Sequence, residues 1–247
     1  MDPISERITG MQGTDQRARR AWGGLTMAVT GVAAFAAFLN GSFVVSAESA
    51  SPDTDSTWVR MLAQAPRQTV TVPGDFRTLQ TAIDSVADGT TILVAPGTYA
   101  ERIELSGRSL HLWGVGGSAL TRLVGDGSDG PVARVRGGSV QFDGISFQGG
   151  RGERGRGVVI ERAAAAFSGC RFERNAGGVE AVRAQVSLVE CDFDGNRAAF
   201  AGGALLGEDS GLRVERCALR DNVAVTFGGG VSMQRGTLRM IRSEEHT

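Results

Sequence analysis

Three acidic residues, Glu173, Asp192 and Asp194, stand in two closely related phrases, CRFERN from Cys170 and CDFDGN from Cys191. Asp192 and Asp194 flank Phe193, so on an extended chain they point to the same side. Glu173 takes the matching place one phrase earlier. Hard oxygen donors gathered this way could hold calcium. The competing reading is a solvated charged face, because Arg171 and Arg220 fall in the same two outward positions. Cys170, Cys191 and Cys217 are the only three cysteines. Thiolates are soft-metal ligands, but a column of them makes a poor tetrahedron for zinc. A free cysteine also packs as a small hydrophobe. The sequence therefore implies no cofactor, with calcium at the acidic group as the one candidate.

There are two histidines, His111 and His246, which leaves little room for a histidine metal cage or base. His111 lies between Leu110 and Leu112. If those two face a core, it faces outward as a surface residue. The stretch GGRGERGRG, residues 149–157, reads as a basic loop that either touches an anionic glycan or is simply tolerated. Formal net charge is −1, so neither nucleic acid nor an anionic membrane is indicated as the main partner.

The elements that would position these residues emerge when each cysteine is taken as a zero point. Five residues before it stands Ala165, Val186 or Leu212; three before, Phe167, Leu188 or Val214. Two residues after stands Phe172, Phe193 or Leu219, and five after always asparagine: Asn175, Asn196, Asn222. The cysteines are 21 and 26 residues apart. Backwards, Val140, Phe142, Ile145 and Phe147 fill the same slots, with Gly150 in the asparagine's place. Leu110, Leu112 and Val115 fill three slots before that, and Leu238 and Met240 continue the frame forward. A phrase returning about every 20–30 residues is the mark of a solenoid.

Within each phrase the apolar residues alternate as in strands, and the parity slips by one between pairs. A slip that recurs is a corner, after which a new strand faces the same core. A third apolar piece follows each Gly-Gly: GGVEAV, GGALL, GGGVSM. No segment from Leu105 to Met240 has the pattern of an amphipathic helix. The sequence predicts an all-β right-handed parallel β-helix of three strands per coil. Its ladder columns are Ile145, Cys170, Cys191 and Cys217; Phe172, Phe193 and Leu219; and Asn175, Asn196 and Asn222. Asparagine side chains stacked this way can bond up a column.

Residues 1–47 read as a signal peptide or signal anchor: basic residues from Arg17 to Arg20, an apolar run, then VSA. This predicts an exported protein, secreted or at the cell surface, that meets a membrane only through this segment. Residues 48–68 read as a linker. Residues 69–90 read as an N-terminal cap with a helix, Phe76, Leu79, Ile83 and Val86 on one face, Asp75 as N-cap and Gly89 at the end. Residues 91–241 read as the coils. The frame fails where Ser243 and Glu245 replace apolar residues. This predicts a native reading that ends near Ile241, a non-native tail over 242–247, and further coils in the intact protein.

The stretch Val72–Leu105, VPGDFRTLQTAIDSVADGTTILVAPGTYAERIEL, resembles the entry segment of the pectin lyase-like right-handed β-helix superfamily. The phrases FERN…GGV, FDGN…GGAL and LRDN…GGGV resemble the FxxN and GGA repeats of polymorphic outer-membrane proteins. The resemblance runs from Val72 to Met240 and implies fold more than activity. The Asp- and Gln-containing phrases of pectinesterases have no counterpart here, nor does the Asp-Asp pair of polygalacturonases. No catalytic residue is carried over. The sequence thus favours a noncatalytic adhesin or scaffold with a polysaccharide or a host or cell-surface ligand as partner. The alternative is a carbohydrate-active enzyme on acidic polysaccharide, pectate lyase-like or glycosidic.

Overall fold

The structure, a computed structural model, describes residues 34–39, 42–47 and 68–246. The chain divides into units Met1–Pro52 and Asp53–Thr247. In the first, strands Ala34–Leu39 and Ser42–Ala47 pair antiparallel. The rest of the predicted export segment, and the linker up to residue 67, lie outside the described residues. Among the described residues no helix is long and apolar enough to cross a membrane.

The second unit is a right-handed parallel β-helix. Its strands form a twelve-stranded sheet, a seven-stranded sheet and a two-stranded pair, Arg197–Ala198 with Val223–Ala224. The larger sheet has two arms. One arm stacks Gln68–Val72, Thr90–Val94, Ser109–Gly114, Ser139–Asp143, Ala164–Ser168 and Gln185–Val189. The other stacks Ile103–Ser106, Ala133–Arg136, Val158–Glu161 and Val179–Val182. The eleven-residue strands Leu205–Glu215 and Val231–Ile241 run through both arms. The seven-stranded sheet stacks Gly97–Ala100, Thr121–Val124, Ser146–Gln148, Arg171–Glu173, Asp192–Asp194, Ala218–Arg220 and Glu244–His246. The coil begins earlier than the sequence frame places it, because Gln68–Val72 already pairs in parallel with Thr90–Val94.

Alternation of apolar and polar residues puts one side of every strand into a continuous core. Val140, Phe142, Ile145 and Phe147 are buried, as are Phe167, Phe172, Leu188, Phe193, Val214 and Leu219. Like residues stack on like. Phe147 lies on Phe172 at 5.3 Å and Phe172 on Phe193 at 4.6 Å between ring centroids, with planes 10° apart in both pairs. Phe142 on Phe167 repeats this at 5.2 Å. Offset parallel rings stabilise such a column beyond the area they bury.

The parity slips of the sequence are left-handed residues. Between the first arm and the seven-stranded sheet stand Gly144, Gly169, Glu190, Arg216 and Arg242, with φ from 51° to 60°. Between the two arms stand Arg162, Arg183, Asp209 and Arg235, with φ from 49° to 55°. A non-glycine residue there costs about 1–2 kcal/mol, and stacking of the coils on either side offsets it. Gly178 has a different task. A Cβ on Gly178 would stand 2.3 Å from Ala204 O and 2.7 Å from the Phe193 ring, so nothing larger fits.

Helix Leu79–Ser85 buries Leu79, Ala82 and Ile83 against the first coils. Its N-cap is Thr78, whose hydroxyl accepts from Thr81 N, and not Asp75. Asp75 instead accepts from Thr71 N at 2.8 Å and Thr71 Oγ1 at 2.9 Å, closing the preceding turn. The carboxylate of Glu101, on the next coil, accepts from Leu79 N and Gln80 N. A distant carboxylate thus completes the helix start, which a local reading of caps cannot anticipate.

Val115 also departs from its predicted inward slot and is exposed. Residues 115–120 loop out, and Thr121 and Leu123 take the buried places in that coil. Arg156, in the glycine-arginine stretch, turns inward rather than toward solvent. It is buried, pairs with Glu180 at 3.0 Å, and donates to Gly202 O and Ala201 O.

Cys170, Cys191 and Cys217 are free, buried and stacked. Each thiol donates to a carbonyl of the coil before, at Phe142, Phe167 and Leu188 respectively. Ser243 continues the column with a hydroxyl 3.4 Å from Val214 O, and Glu245 pairs in register with Leu219. Burial pushes the Cys191 thiol up, which keeps it neutral and unreactive. Native protein is therefore expected to leave all three thiols unlabelled by iodoacetamide, and denatured protein to label all three. Rapid labelling of the native form would contradict the buried column.

Candidate functional site

The outward residues of the seven-stranded sheet form two polar columns. Register places Arg122, Ser146, Arg171 and Asp192 in one, and Gln148, Glu173, Asp194 and Arg220 in the other. The loop at 115–120 overhangs their start, and together they enclose a groove of about 340 Å³ lined by Ser118, Ala119, Arg122, Gln148, Arg171, Glu173 and Arg174. Arg174 enters it through a left-handed φ of 53°, at the end of its strand. Ser146, between Arg122 and Arg171 in the column, is wholly buried, and the two arginines stand two coil rises apart, roughly 10 Å.

Glu173 is the groove's one carboxylate. It is half-buried, accepts from Gln148 Nε2 at 2.9 Å, and lies 3.5 Å from Arg171. Gln148 Nε2 also donates to Ser146 Oγ, which fixes the amide. Arg171 reaches Asp192 on the following coil at 3.6 Å, and Arg220 reaches the same carboxylate at 3.5 Å. Arg122 and Arg174 form no ion pair among the described residues. The groove therefore holds three guanidinium groups to one carboxylate, two of them unpaired. Planar guanidinium groups take carboxylates or phosphates by paired hydrogen bonds.

The structure brings Glu173 and Asp192 to the same face, but with Arg171 between them, and Asp194 lies exposed beside Arg220 in its column. Among the described residues no three His, Cys, Asp or Glu side chains converge as a metal-ligand set. The ladder residues lie beneath this face. Asn175, Asn196 and Asn222 are buried and bonded amide to amide, with Asn175 Nδ2 to Asn196 Oδ1 at 3.1 Å and Asn196 Nδ2 to Asn222 Oδ1 at 2.8 Å. Phe172, Phe193 and Leu219 alternate with the outward residues of the same strands and so set their direction. Sequence reasoning missed Arg122, Gln148 and Arg174. Gln148 was available one residue beyond the Phe147 slot. Arg122 was hidden by the loop, which displaced the frame in its coil.

No protein-family profile matches the chain, and the curated proteins contain no match. Solved structures that it resembles include a pectin methylesterase mutant in complex with hexasaccharide IV, at 11% identity and TM-score 0.43 over 72% of this chain and 66% of that one. The pectin methylesterase from carrot gives 14% identity and TM-score 0.42 over 73% of this chain and 83% of that one. Deglycosylated pectin methylesterase from Aspergillus niger gives 14% and 0.39 over 72% and 84%. The chain spans 66% of the first of these. The likeness is one of fold, the right-handed parallel β-helix. The expectation of a noncatalytic adhesin or scaffold is corrected here: the solved structures of like fold include pectin methylesterases.

Proposed function

We propose that the chain is a carbohydrate-active enzyme whose groove on the seven-stranded sheet binds an acidic polysaccharide and hydrolyses an ester of its uronate units. The observation that carries this reading is the groove's charge: Arg122, Arg171 and Arg174 around a single carboxylate. A polyuronate presents carboxylates in series, and guanidinium groups two coils apart offer places for them. Glycosidases use two carboxylates flanking the bond, and the groove has one. One positioned carboxylate suits a reaction with one base. Glu173 takes the proton of a water attacking the ester carbonyl, and a neighbouring guanidinium faces the oxyanion that develops. The alkoxide then leaves with a proton from solvent. An exported location, read from residues 1–47, fits such a substrate.

The test is affinity electrophoresis in gels containing polygalacturonate, followed by methanol release from methyl-esterified pectin. Wild type is expected to be retarded, less so at high salt. Arg122→Ala and Arg171→Ala are each expected to weaken binding about tenfold, the worth of a charge-assisted contact. No retardation would overturn the binding reading. Unsaturated product absorbance without methanol would replace hydrolysis by elimination.

A further inference from the structure

The first arm of the larger sheet carries a second cluster, around the corner from the groove. In register, Thr91, His111 and Gln141 form one outward column, and Leu93, Trp113 and Asp143 the other. His111 points outward as the alternation requires, but its imidazole is held at both nitrogens. Nε2 lies 2.5 Å from Asp143 Oδ2, and Nδ1 lies 3.4 Å from Thr91 Oγ1. Gln141 Nε2 donates to the same Asp143 oxygen at 3.2 Å. Trp113 stands beside His111 with the ring planes 5° from parallel and centroids 6.4 Å apart. On the coil after Gln141 and Asp143 the same columns hold Ala166 and Ser168. Large rings thus give way to small side chains, and the face steps down into a shelf beside the carboxylate and amide.

We infer that this shelf is a second saccharide site, for a neutral pyranose unit stacked on Trp113. A pyranose ring has an apolar C–H face and a rim of hydroxyls. The indole offers a flat apolar surface to the first. Asp143 and Gln141, held in place by the His111 clasp, offer acceptors and donors to the second, the combination of apolar wall and few placed polar groups that ligand sites use. The bonds to Thr91 and Asp143 fix the imidazole before any ligand arrives, which lowers the ordering cost of binding. The cluster contains no guanidinium, and Asp143 repels a uronate. It therefore selects against the anionic sugar that the groove favours. This site does not depend on the groove: either reading stands if the other fails.

The test is affinity electrophoresis in gels of hydroxyethylcellulose, galactomannan and xylan, with thermal melting as a fold control. Wild type is expected to be retarded by at least one of these neutral polymers. Trp113→Ala should lose about tenfold or more in affinity, the usual effect of removing an aromatic anchor, while Trp113→Phe retains part of it. Trp113 is half-buried on the outer face of its strand, so Trp113→Ala costs some stability that melting measures, and Trp113→Phe should melt near wild type. Arg171→Ala, which weakens the groove, should leave this retardation by neutral polymer unchanged. The inference is overturned if no neutral polymer retards the wild type, or if Trp113→Ala is retarded as strongly as wild type. Retardation through Trp113 by polygalacturonate alone overturns the neutral specificity.

Discussion

Replacing Asn196 by alanine is expected to destabilise the coil by about 2–4 kcal/mol, read by urea unfolding. Asn196 is wholly buried and its side chain makes four bonds. Oδ1 accepts from Asn175 N and Asn175 Nδ2, both at 3.1 Å, and Nδ2 donates at 2.8 Å to both Phe172 O and Asn222 Oδ1. Alanine removes all four bonds: Asn175 N is left unmet, while Asn175 Nδ2 keeps Phe147 O at 3.0 Å and Asn222 Oδ1 keeps the backbone Asn196 N at 3.2 Å. Each unmet group costs about 1–3 kcal/mol, and relaxation of the turn recovers only part. Asn196→Asp keeps the shape but sets a carboxylate against Asn222 Oδ1 and Phe172 O, two acceptors. Burial and those neighbours favour the neutral acid, so its folded pKa is raised above the unfolded value. The variant should therefore be more stable in acid than at neutral pH, losing stability as pH rises past the unfolded carboxylate pKa. A loss below about 1 kcal/mol for Asn196→Ala would mean the ladder contributes little beyond water's own bonds.

Glu173→Gln carries the largest expected effect on activity. If Glu173 is the base that relieves the attacking water, the amide variant should lose roughly 10²–10⁴-fold in turnover. Its binding to polygalacturonate should hold or tighten, because one negative charge leaves a cationic groove. The measurement is methanol release alongside affinity electrophoresis on the same preparation. Turnover within a few-fold of wild type would remove Glu173 from the chemistry and leave only a binding groove.

Much of the coil was legible in the sequence because its core repeats. A buried slot in a stacked coil has the same neighbours above and below, so Phe172 and Phe193, or Asn175 and Asn196, face one set of constraints and show one residue type. The outward face has no such discipline. Which carboxylate meets which guanidinium depends on register between coils. A loop such as 115–120 shifts that register, which exposed Val115 and brought Arg122 to the groove. Glu101 at the helix start and Arg156 against Glu180 belong to the same class. Each acts across more than twenty residues of sequence, where local pattern is silent. His111 was readable as outward-facing. Its clasp by Asp143 required knowing that Ser109–Gly114 and Ser139–Asp143 stack in register across a loop-bearing coil.

The left-handed corners have a bearing on how such a molecule changes length. Because the coils from Ser139 onward turn at the same slots, each of them is a self-contained unit of inheritance. Removing residues 171–191 would join Cys170 to Asp192 without breaking the phase of any strand, and Asn196 would inherit the place of Asn175 beneath Gly150. A duplication would add a rung in the same way. Each unit gained or lost moves the two lateral faces by one coil rise, roughly 4.8 Å. If these faces bind a polysaccharide as proposed, the number of sugars spanned follows from arithmetic on whole repeats, as on a ruler whose graduations are the coils.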